Sequence, residues 1–132
     1  MILGIGNDVV NIDRIGAVLK RHGDRFRTRV YSEQEQALAR RMADATGILA
    51  KRWAAKEACS KALGTGLTSG VALRDIEVRT RRGQPPALLL HGGARRRLET
   101  IIPEGHHPRL HLSMSDDWPV ATATVIIEAI PA

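Results

Sequence analysis

A helical stretch that ends in glycines decides the fold of this chain: residues 52–66 read RWAAKEACSKALGTG. Leucine, tryptophan and alanine recur at helical spacing from about Gly47 to Leu63, which is typical of a helix packed in a core. Gly64 and Gly66 follow, and glycine is the residue that most often ends a helix. The sequence therefore predicts a long central helix and a Gly-Thr-Gly loop after it.

The same helix carries polar groups in a suggestive arrangement. Trp53, Glu57 and Lys61 lie four residues apart, so a carboxylate and an ammonium share one helical face with an aromatic ring. The simplest interpretation is an exposed salt bridge, worth about 0.2–0.5 kcal/mol. The glycine loop favours a second interpretation, because glycines let backbone N–H groups approach a phosphate, although Gly64 is equally a common C-cap.

Working outward to the N-terminus, residues 1–10 are apolar and β-branched with two glycines, and they predict a first strand. Asp8 interrupts this strand. A buried carboxylate is costly unless it is paired or bound to a cation, so a metal ligand is one interpretation. A cap for the helix that begins near Asn11 is the other. Asp8 and Glu57 together would give the oxygen ligands that Mg²⁺ prefers.

The remaining segments alternate between helical and strand periodicity. A short basic helix begins at Ile12, and Ser32 with Glu35 forms a capping-box pattern that opens a second helix. Further on we expect a hairpin at 76–80 and 87–90, a helix at 94–102, and a closing hairpin at 109–115 and 120–130. The order β-α-α-α-β-β-α-β-β defines an α+β domain.

Length and composition bound the class of protein. The 132 residues fit one domain of ordinary size, with 43% hydrophobic and 26% charged residues. The apolar runs are far shorter than the roughly 20 residues of a membrane-spanning helix, and the N-terminus lacks the layout of a secretory signal. We therefore expect a cytoplasmic protein without a membrane partner. The single cysteine, Cys59, cannot form an internal disulfide and is expected to be buried.

The formal net charge of +6 favours an anionic partner: nucleic acid, a phosphorylated small molecule or an acidic protein. One Phe, one Tyr and two Trp offer little material for base stacking, which counts against single-stranded nucleic acid. The pair His106 and His107 has no further ligand at zinc spacing, and His111 is expected to face outward. The last strand is apolar or small on both faces, which suggests burial on both sides, partly by another subunit.

Several blocks in the same order resemble the bacterial holo-acyl carrier protein synthases, which are small phosphopantetheinyl transferases. Residues 4–9 (GIGNDV), with Arg14 at the expected distance, resemble the N-terminal Gly-x-Asp strand of the family, and residues 52–66 resemble its signature helix and loop. The resemblance continues through 75–78, 83–85, 111–115 and 120–128. The family usually has histidine after the closing Ser-x-Ser stretch, where this chain has Asp116.

The resemblance implies a single phosphopantetheinyl transferase domain over residues 1–132, with an antiparallel sheet packed against a long helix. The implied reaction transfers 4′-phosphopantetheine from coenzyme A to a serine of apo-acyl carrier protein in fatty acid biosynthesis and releases adenosine 3′,5′-bisphosphate. Asp8 and Glu57 would hold Mg²⁺, Lys61 would neutralise charge on the pyrophosphate, and a carboxylate or metal-bound water would take the serine proton. The implied cofactor-binding residues are Arg52, Lys61, Gly64, Thr65 and Gly66.

The resemblance also implies partners. Arg14, Arg21 and Arg25 on the first helix would dock the acidic helix of the carrier protein, which accounts for the positive charge without nucleic acid. Family members of this size are homotrimers with the coenzyme site between subunits. Two alternatives stay open at this point: a small basic nucleic-acid-binding module, which leaves Asp8 and Glu57 unexplained, and a synthase that serves polyketide or peptide carriers.

Overall fold

The computed structural model describes all 132 residues, and it confirms the α+β class and the order of elements. A 3₁₀ turn at Leu73–Asp75 precedes the first hairpin. The helices and strands, in chain order, are β1 (Ile2–Asn11), α1 (Ile12–Val30), α2 (Glu33–Arg40), α3 (Thr46–Ala62), β2 (Ile76–Arg79), β3 (Ala87–Leu90), α4 (Gly92–Ile101), β4 (His106–Asp117) and β5 (Val120–Pro131).

Both predicted hairpins form. Strands β4 and β5 pair antiparallel, β1 pairs antiparallel with β5, and the resulting sheet has the order β1-β5-β4. Strands β2 and β3 form a separate two-stranded sheet. The long helix α3 packs against the three-stranded sheet, and alternate residues of β5 from Ala121 to Ala129 are buried beneath it. The predicted packing of an antiparallel sheet on a long helix is therefore confirmed.

Two glycines of β1 let the backbone of α3 lie directly on the strand. A Cβ atom added at Gly6 would lie 1.7 Å from the carbonyl oxygen of Ala58, and one at Gly4 would lie 1.9 Å from that of Ala62. No side chain fits in this space, so only glycine permits the approach. The consequence is a fixed, short distance between β1 and the C-terminal half of α3.

The first helix is longer than predicted and is broken in the middle. Gly23 has φ 46° and ψ −119°, which are not helical, so two helical segments meet there. Asn11 is the N-cap: its Oδ1 accepts hydrogen bonds from the backbone N–H groups of Asp13 (2.9 Å) and Arg14 (3.2 Å). The interpretation of Asp8 as the cap is therefore wrong, because Asn11 performs that role.

A buried ionic cluster ties α2, α3 and β2 together around Glu35. Glu35 Oε1 accepts from Lys56 Nζ (2.6 Å) and from the backbone N–H of Ser32 (2.9 Å), which completes the predicted capping box. Oε2 accepts from the backbone N–H of Val78 (3.1 Å) and lies 3.8 Å from Arg52 Nε. Lys56 Nζ also donates to backbone carbonyls of the 3₁₀ turn and of β2. The cluster fixes the position of α3 relative to its neighbours.

A second cluster joins the β2-β3 hairpin to α4. The buried carboxylate of Glu77 accepts hydrogen bonds from Arg79 Nε (2.8 Å) and lies 3.2 Å from Nε2 of His91, the residue before α4. Burial acts to raise the pKa of Glu77, but the hydrogen bonds and positive charge of Arg79 and His91 together outweigh it and lower the pKa. The ionised carboxylate is therefore the form that the fold stabilises.

In the single chain the outer face of the three-stranded sheet is partly exposed, and its predicted burial by another subunit stays a prediction. Side chains of β5 on the side of α3 are buried, whereas those on the other side are half-exposed. Ile5 and Val9 of β1 lie on this outer side with about three fifths of their surface exposed.

Cys59 is buried as predicted, and burial raises the pKa of its thiol to about 12. None of the helices combines the length and the apolar character needed to cross a membrane.

Candidate active site

The strand β1 and the helix α3 bring Asp8 and Lys61 together. Lys61 Nζ donates to Asp8 Oδ1 (3.1 Å) and to the backbone carbonyl of Asn7 (3.0 Å). The side chain of Asp8 is 16% exposed, whereas that of Lys61 is 52% exposed. The predicted salt bridge between Glu57 and Lys61 is wrong, because the ammonium pairs across elements with Asp8 instead.

Glu57 lies beside this pair, half-buried on α3. Burial raises its pKa, the negative charge of Asp8 raises it further, and the ammonium of Lys61 partly opposes both effects. The effect of Asp8 on the pKa of Glu57 indicates that the two carboxylates lie near one another. Two carboxylates and one ammonium, from two elements with a close backbone contact, therefore form a compact polar centre at the surface.

The donor set of this centre suits one kind of metal. No group of three or more histidine, cysteine, aspartate or glutamate side chains that could hold a metal occurs in the structure. A zinc site normally needs three or four such ligands. Mg²⁺ is commonly held by one or two carboxylates and completes its coordination with water and substrate phosphates. Asp8 and Glu57 therefore fit Mg²⁺ that acts together with a phosphorylated substrate.

The glycine loop after α3 is arranged differently from the expectation. Gly64 and Gly66 both have positive φ, at 81° and 57°. Their backbone N–H groups donate to the carbonyls of Lys61 and Ser60, each at 3.0 Å, and so end the helix. These two N–H groups are consequently not available to a phosphate. Of the three loop residues, Thr65 keeps a backbone N–H without a partner in the chain.

Two other residues of the signature stretch lie away from the polar centre. The predicted phosphate contact of Arg52 is not supported, because this residue is 3% exposed and its guanidinium donates to Thr80 Oγ1 and faces Glu35. Trp53 stacks on Phe26 with ring centroids 5.6 Å apart, and both rings are partly buried against core residues of α1 and α3 that include Leu19 and Leu49. The aromatic ring that we expected beside Glu57 therefore packs against the core instead.

The sequence analysis predicted the capping role of Glu35 but missed the buried ion pair that Glu35 forms with Lys56. Lys56 precedes Glu57 directly, and its ammonium is fully buried against Glu35. A signal was present in the sequence: Leu49, Lys56 and Leu63 repeat at a spacing of seven residues, which places Lys56 on the buried face of α3. The buried cluster supports the segment of helix that carries Glu57 and Lys61.

Asp116, which stands where the family usually has histidine, has a partner within the chain. Asp116, at the end of β4, lies 3.2 Å from Lys51 Nζ, so it joins the strand to the N-terminal half of α3. His111 Nε2 lies 2.9 Å from Glu128 Oε1 on the neighbouring strand, half-exposed as predicted. The carboxylate of Asp116 therefore serves an ion pair within the chain.

The three arginines predicted to dock a carrier all lie on the exposed surface of α1. Arg14 and Arg21 belong to the segment before the break at Gly23, and Arg25 belongs to the segment after it. None of the three makes an ion pair within the chain, whereas Arg27 pairs with Asp24 at 3.6 Å. Their guanidinium groups are therefore free to meet an acidic surface.

With this geometry in place, comparison with known proteins defines the class. The family model of the 4′-phosphopantetheinyl transferase superfamily matches residues 4–123, so the chain belongs to this superfamily. The match includes β1 from Gly4 onward and all of α3, which carry the polar centre, and the glycine loop after α3.

Full-length relatives narrow the class to the holo-[acyl-carrier-protein] synthases. The synthase of Phenylobacterium zucineum is 55% identical over 132 residues, which cover 100% of this chain and 96% of the relative. The crystal structure of the synthase from Neisseria meningitidis has a TM-score of 0.85 and 34% identity and covers 97% of this chain and 99% of its own. A synthase from Bacillus anthracis, solved in complex with CoA (3′,5′-ADP), has a TM-score of 0.79 and 35% identity, with 98% and 99% covered.

Proposed function

We propose that this chain transfers the 4′-phosphopantetheine group of coenzyme A to a serine of apo-acyl carrier protein. The observation that carries the proposal is the convergence of Asp8, Glu57 and Lys61 from β1 and α3. It is supported by membership of the superfamily and by the Bacillus anthracis synthase that was solved with CoA (3′,5′-ADP). In the reaction a bond forms between the serine oxygen and phosphorus, a P–O bond of the pyrophosphate breaks, and adenosine 3′,5′-bisphosphate leaves.

Asp8 and Glu57 would hold Mg²⁺ through their carboxylate oxygens. When bound, the ion supplies positive charge next to the pyrophosphate and thereby stabilises the negative charge of the leaving group. The low exposure of Asp8 strengthens this role, because a carboxylate removed from water interacts more strongly with a neighbouring charge. The short contact between β1 and α3 holds the two carboxylates at a fixed separation.

Lys61 would act directly on the pyrophosphate. An ammonium has three N–H donors, and in this structure two of them bond to Asp8 and to the carbonyl of Asn7. The third donor is left for a phosphate oxygen of the substrate. Because the two fixed bonds orient the ammonium, its charge is in place before negative charge develops on the leaving group.

The carrier protein would dock on α1. Arg14, Arg21 and Arg25 are exposed and unpaired, which suits an acidic helix, and complementary charge mainly accelerates and directs the encounter.

We also propose a homotrimer in which the coenzyme site lies between subunits, supported by the exposed Ile5 and Val9 on the outer face of the sheet. We place the reaction in the cytoplasm, in fatty acid biosynthesis.

The transferase activity is tested by incubation with coenzyme A, Mg²⁺ and an apo-acyl carrier protein, followed by intact mass measurement of the carrier. We expect a gain of one phosphopantetheine, and its loss in excess chelator and in Asp8→Asn and Glu57→Gln. Glu99→Gln, an exposed carboxylate on α4, is the matched control and should retain activity. A carrier that stays unmodified with the wild-type protein would overturn the proposal, and full activity in chelator would overturn the metal assignment.

A separate variant tests the role of Lys61. In Lys61→Ala we expect turnover at saturating substrates to fall more than the affinity for coenzyme A, because the ammonium matters most as charge accumulates on the pyrophosphate. The helix should persist, since alanine is a good helix former. Equal turnover in the variant and the wild-type protein would restrict Lys61 to an ion pair with Asp8.

A further inference from the structure

Helix α4 brings the side chain of Arg97 to the end of α3 and the start of the glycine loop. A Cβ atom added at Gly93 would lie 1.8 Å from the carbonyl oxygen of Gly70, so the start of α4 touches the chain four residues after the glycine loop. About one turn later, Arg97 Nε donates to the carbonyl oxygen of Leu63 at the end of α3, at 2.9 Å. These two contacts hold the guanidinium of Arg97 beside the loop.

The guanidinium of Arg97 has unused donors that face the loop. Of its five N–H groups, the one on Nε bonds to Leu63, and the two terminal amino groups make no hydrogen bond or ion pair with the rest of the chain. One terminal nitrogen lies 3.3 Å from the position that a Cβ atom of Gly64 would occupy. Arg95, on the same helix, is by contrast exposed and paired with Glu99.

The loop itself cannot provide a full cradle of backbone donors. The N–H groups of Gly64 and Gly66 end α3, and the hydroxyl of Thr65 donates to the carbonyl of Gly66, which leaves the backbone N–H of Thr65. An anion at this loop therefore needs a donor from outside it. Arg97 is half-buried without a counter-charge, and a guanidinium presents paired donors that match phosphate oxygens.

We propose that Arg97 binds a phosphate group of coenzyme A at the loop formed by residues 64–66, together with the free N–H of Thr65. The inference rests on the proposed transferase function and adds a substrate-binding residue from α4 to the site. Arg97 has another role as well, since its bond to Leu63 caps the C-terminus of α3, where a positive charge is favourable. Glutamine at position 97 keeps an N–H donor and removes the charge and the fork, so it separates the two roles.

The test is calorimetric measurement of dissociation constants for coenzyme A and for dephospho-coenzyme A, which lacks the 3′-phosphate. The proteins are the full-length wild type, Arg97→Gln, Arg97→Lys and, as the matched control, Arg95→Gln, which removes an equal charge from the same helix. We expect coenzyme A to bind Arg97→Gln about tenfold to hundredfold more weakly than wild type, and Arg97→Lys to lose less. The control should change little.

The second ligand identifies the phosphate. If Arg97 contacts the 3′-phosphate, dephospho-coenzyme A binds wild type and Arg97→Gln equally; if it contacts the pyrophosphate, both ligands weaken in the variant. Either pattern supports the proposal. Equal affinity of Arg97→Gln and Arg95→Gln for coenzyme A would overturn the proposal. If Arg97→Gln does not fold, the Arg97→Lys variant replaces it in the test, and wild-type affinity of that variant for coenzyme A would overturn the proposal. A wild-type protein that binds coenzyme A but does not modify the carrier contradicts the proposed function instead.

Discussion

Replacement of Glu35 by glutamine is the sharpest test of the buried cluster under α3. The carboxylate of Glu35 is 2% exposed and faces the ammonium of Lys56, which is 0% exposed. Its oxygens accept three hydrogen bonds, from Lys56 Nζ at 2.6 Å and from the backbone N–H groups of Ser32 and Val78 at 2.9 and 3.1 Å. Glutamine removes the charge and turns an N–H₂ group toward one of these donors.

The magnitude follows from this geometry. Loss of one member of a buried, hydrogen-bonded ion pair destabilises a protein by about 3–5 kcal/mol, because the partner stays buried without compensation. Burial already lowers the pKa of Lys56, against the opposing effect of Glu35, so the ammonium can release its proton in the variant, which limits the loss. With a urea dependence of about 2 kcal/mol per M, the unfolding midpoint should fall by roughly 1.5–2.5 M.

The assay is urea unfolding followed by far-ultraviolet circular dichroism, at one protein concentration because oligomerisation would add to stability. Glu33→Gln is the matched control: it lies on the same helix, its side chain is 77% exposed and its contact with Arg74 is 3.7 Å, so it should change stability by less than about 0.5 kcal/mol. The double variant with Lys56→Met should lose less than the sum of the single variants. A midpoint for Glu35→Gln equal to that of the control would refute the reasoning.

Three further predictions concern other parts of the molecule. Gly6→Ala should lower stability by about 1–3 kcal/mol or more in thermal unfolding, because the added Cβ would meet the carbonyl of Ala58. The control Gly47→Ala, which has open space around it, should be tolerated. Equal melting temperatures of the two variants would contradict this prediction. Glu77→Gln should lower the free energy of unfolding by about 1–3 kcal/mol at pH 7, measured by urea unfolding. Because the native pKa of Glu77 lies below its ordinary 4.5, the difference in stability between wild type and variant should shrink as the pH falls through that lowered pKa. A difference in stability that stays constant down to pH 2 would be inconsistent with an ionised Glu77. Arg14→Glu should raise the KM for carrier protein and leave coenzyme A binding nearly unchanged. The carrier KM of the variant should depend less on salt concentration than that of wild type. An unchanged carrier KM at low salt would remove α1 from the docking surface.

The elements that local patterns control could be predicted from the sequence. The capping box joins Ser32 to Glu35 three residues later, and each hairpin joins two strands that follow one another in the chain; the structure shows all of them. The length of α1 was missed because Gly23 breaks the helical geometry without ending the helix, and sequence alone does not distinguish a break from an end. Local chemistry therefore accounts for most of the fold.

The partners of the charged residues could not be predicted in the same way. On an isolated helix Lys61 is nearest to Glu57, but tertiary packing places it closer to Asp8, which is 53 residues away in sequence. Arg52 resembles a surface ligand for phosphate until the fold buries it against Glu35. Which of several opposite charges a long side chain meets depends on how α3 lies on β1, and that is decided by contacts distant in sequence.

Because β1 is an edge strand, the position of Asp8 in the site depends on the pairing of β1 with a single neighbouring strand. β1 is hydrogen-bonded only to β5, with Asp8 opposite Ala123, and strand side chains alternate between the two faces. A slip of one residue along β5 would turn Asp8 to the outer face and present Asn7 or Val9 to α3 in its place. Turnover would then be lost while the secondary-structure content stayed almost constant. Transfer activity in this protein consequently reports the alignment of a single strand pair, which spectroscopic measures of folding do not detect.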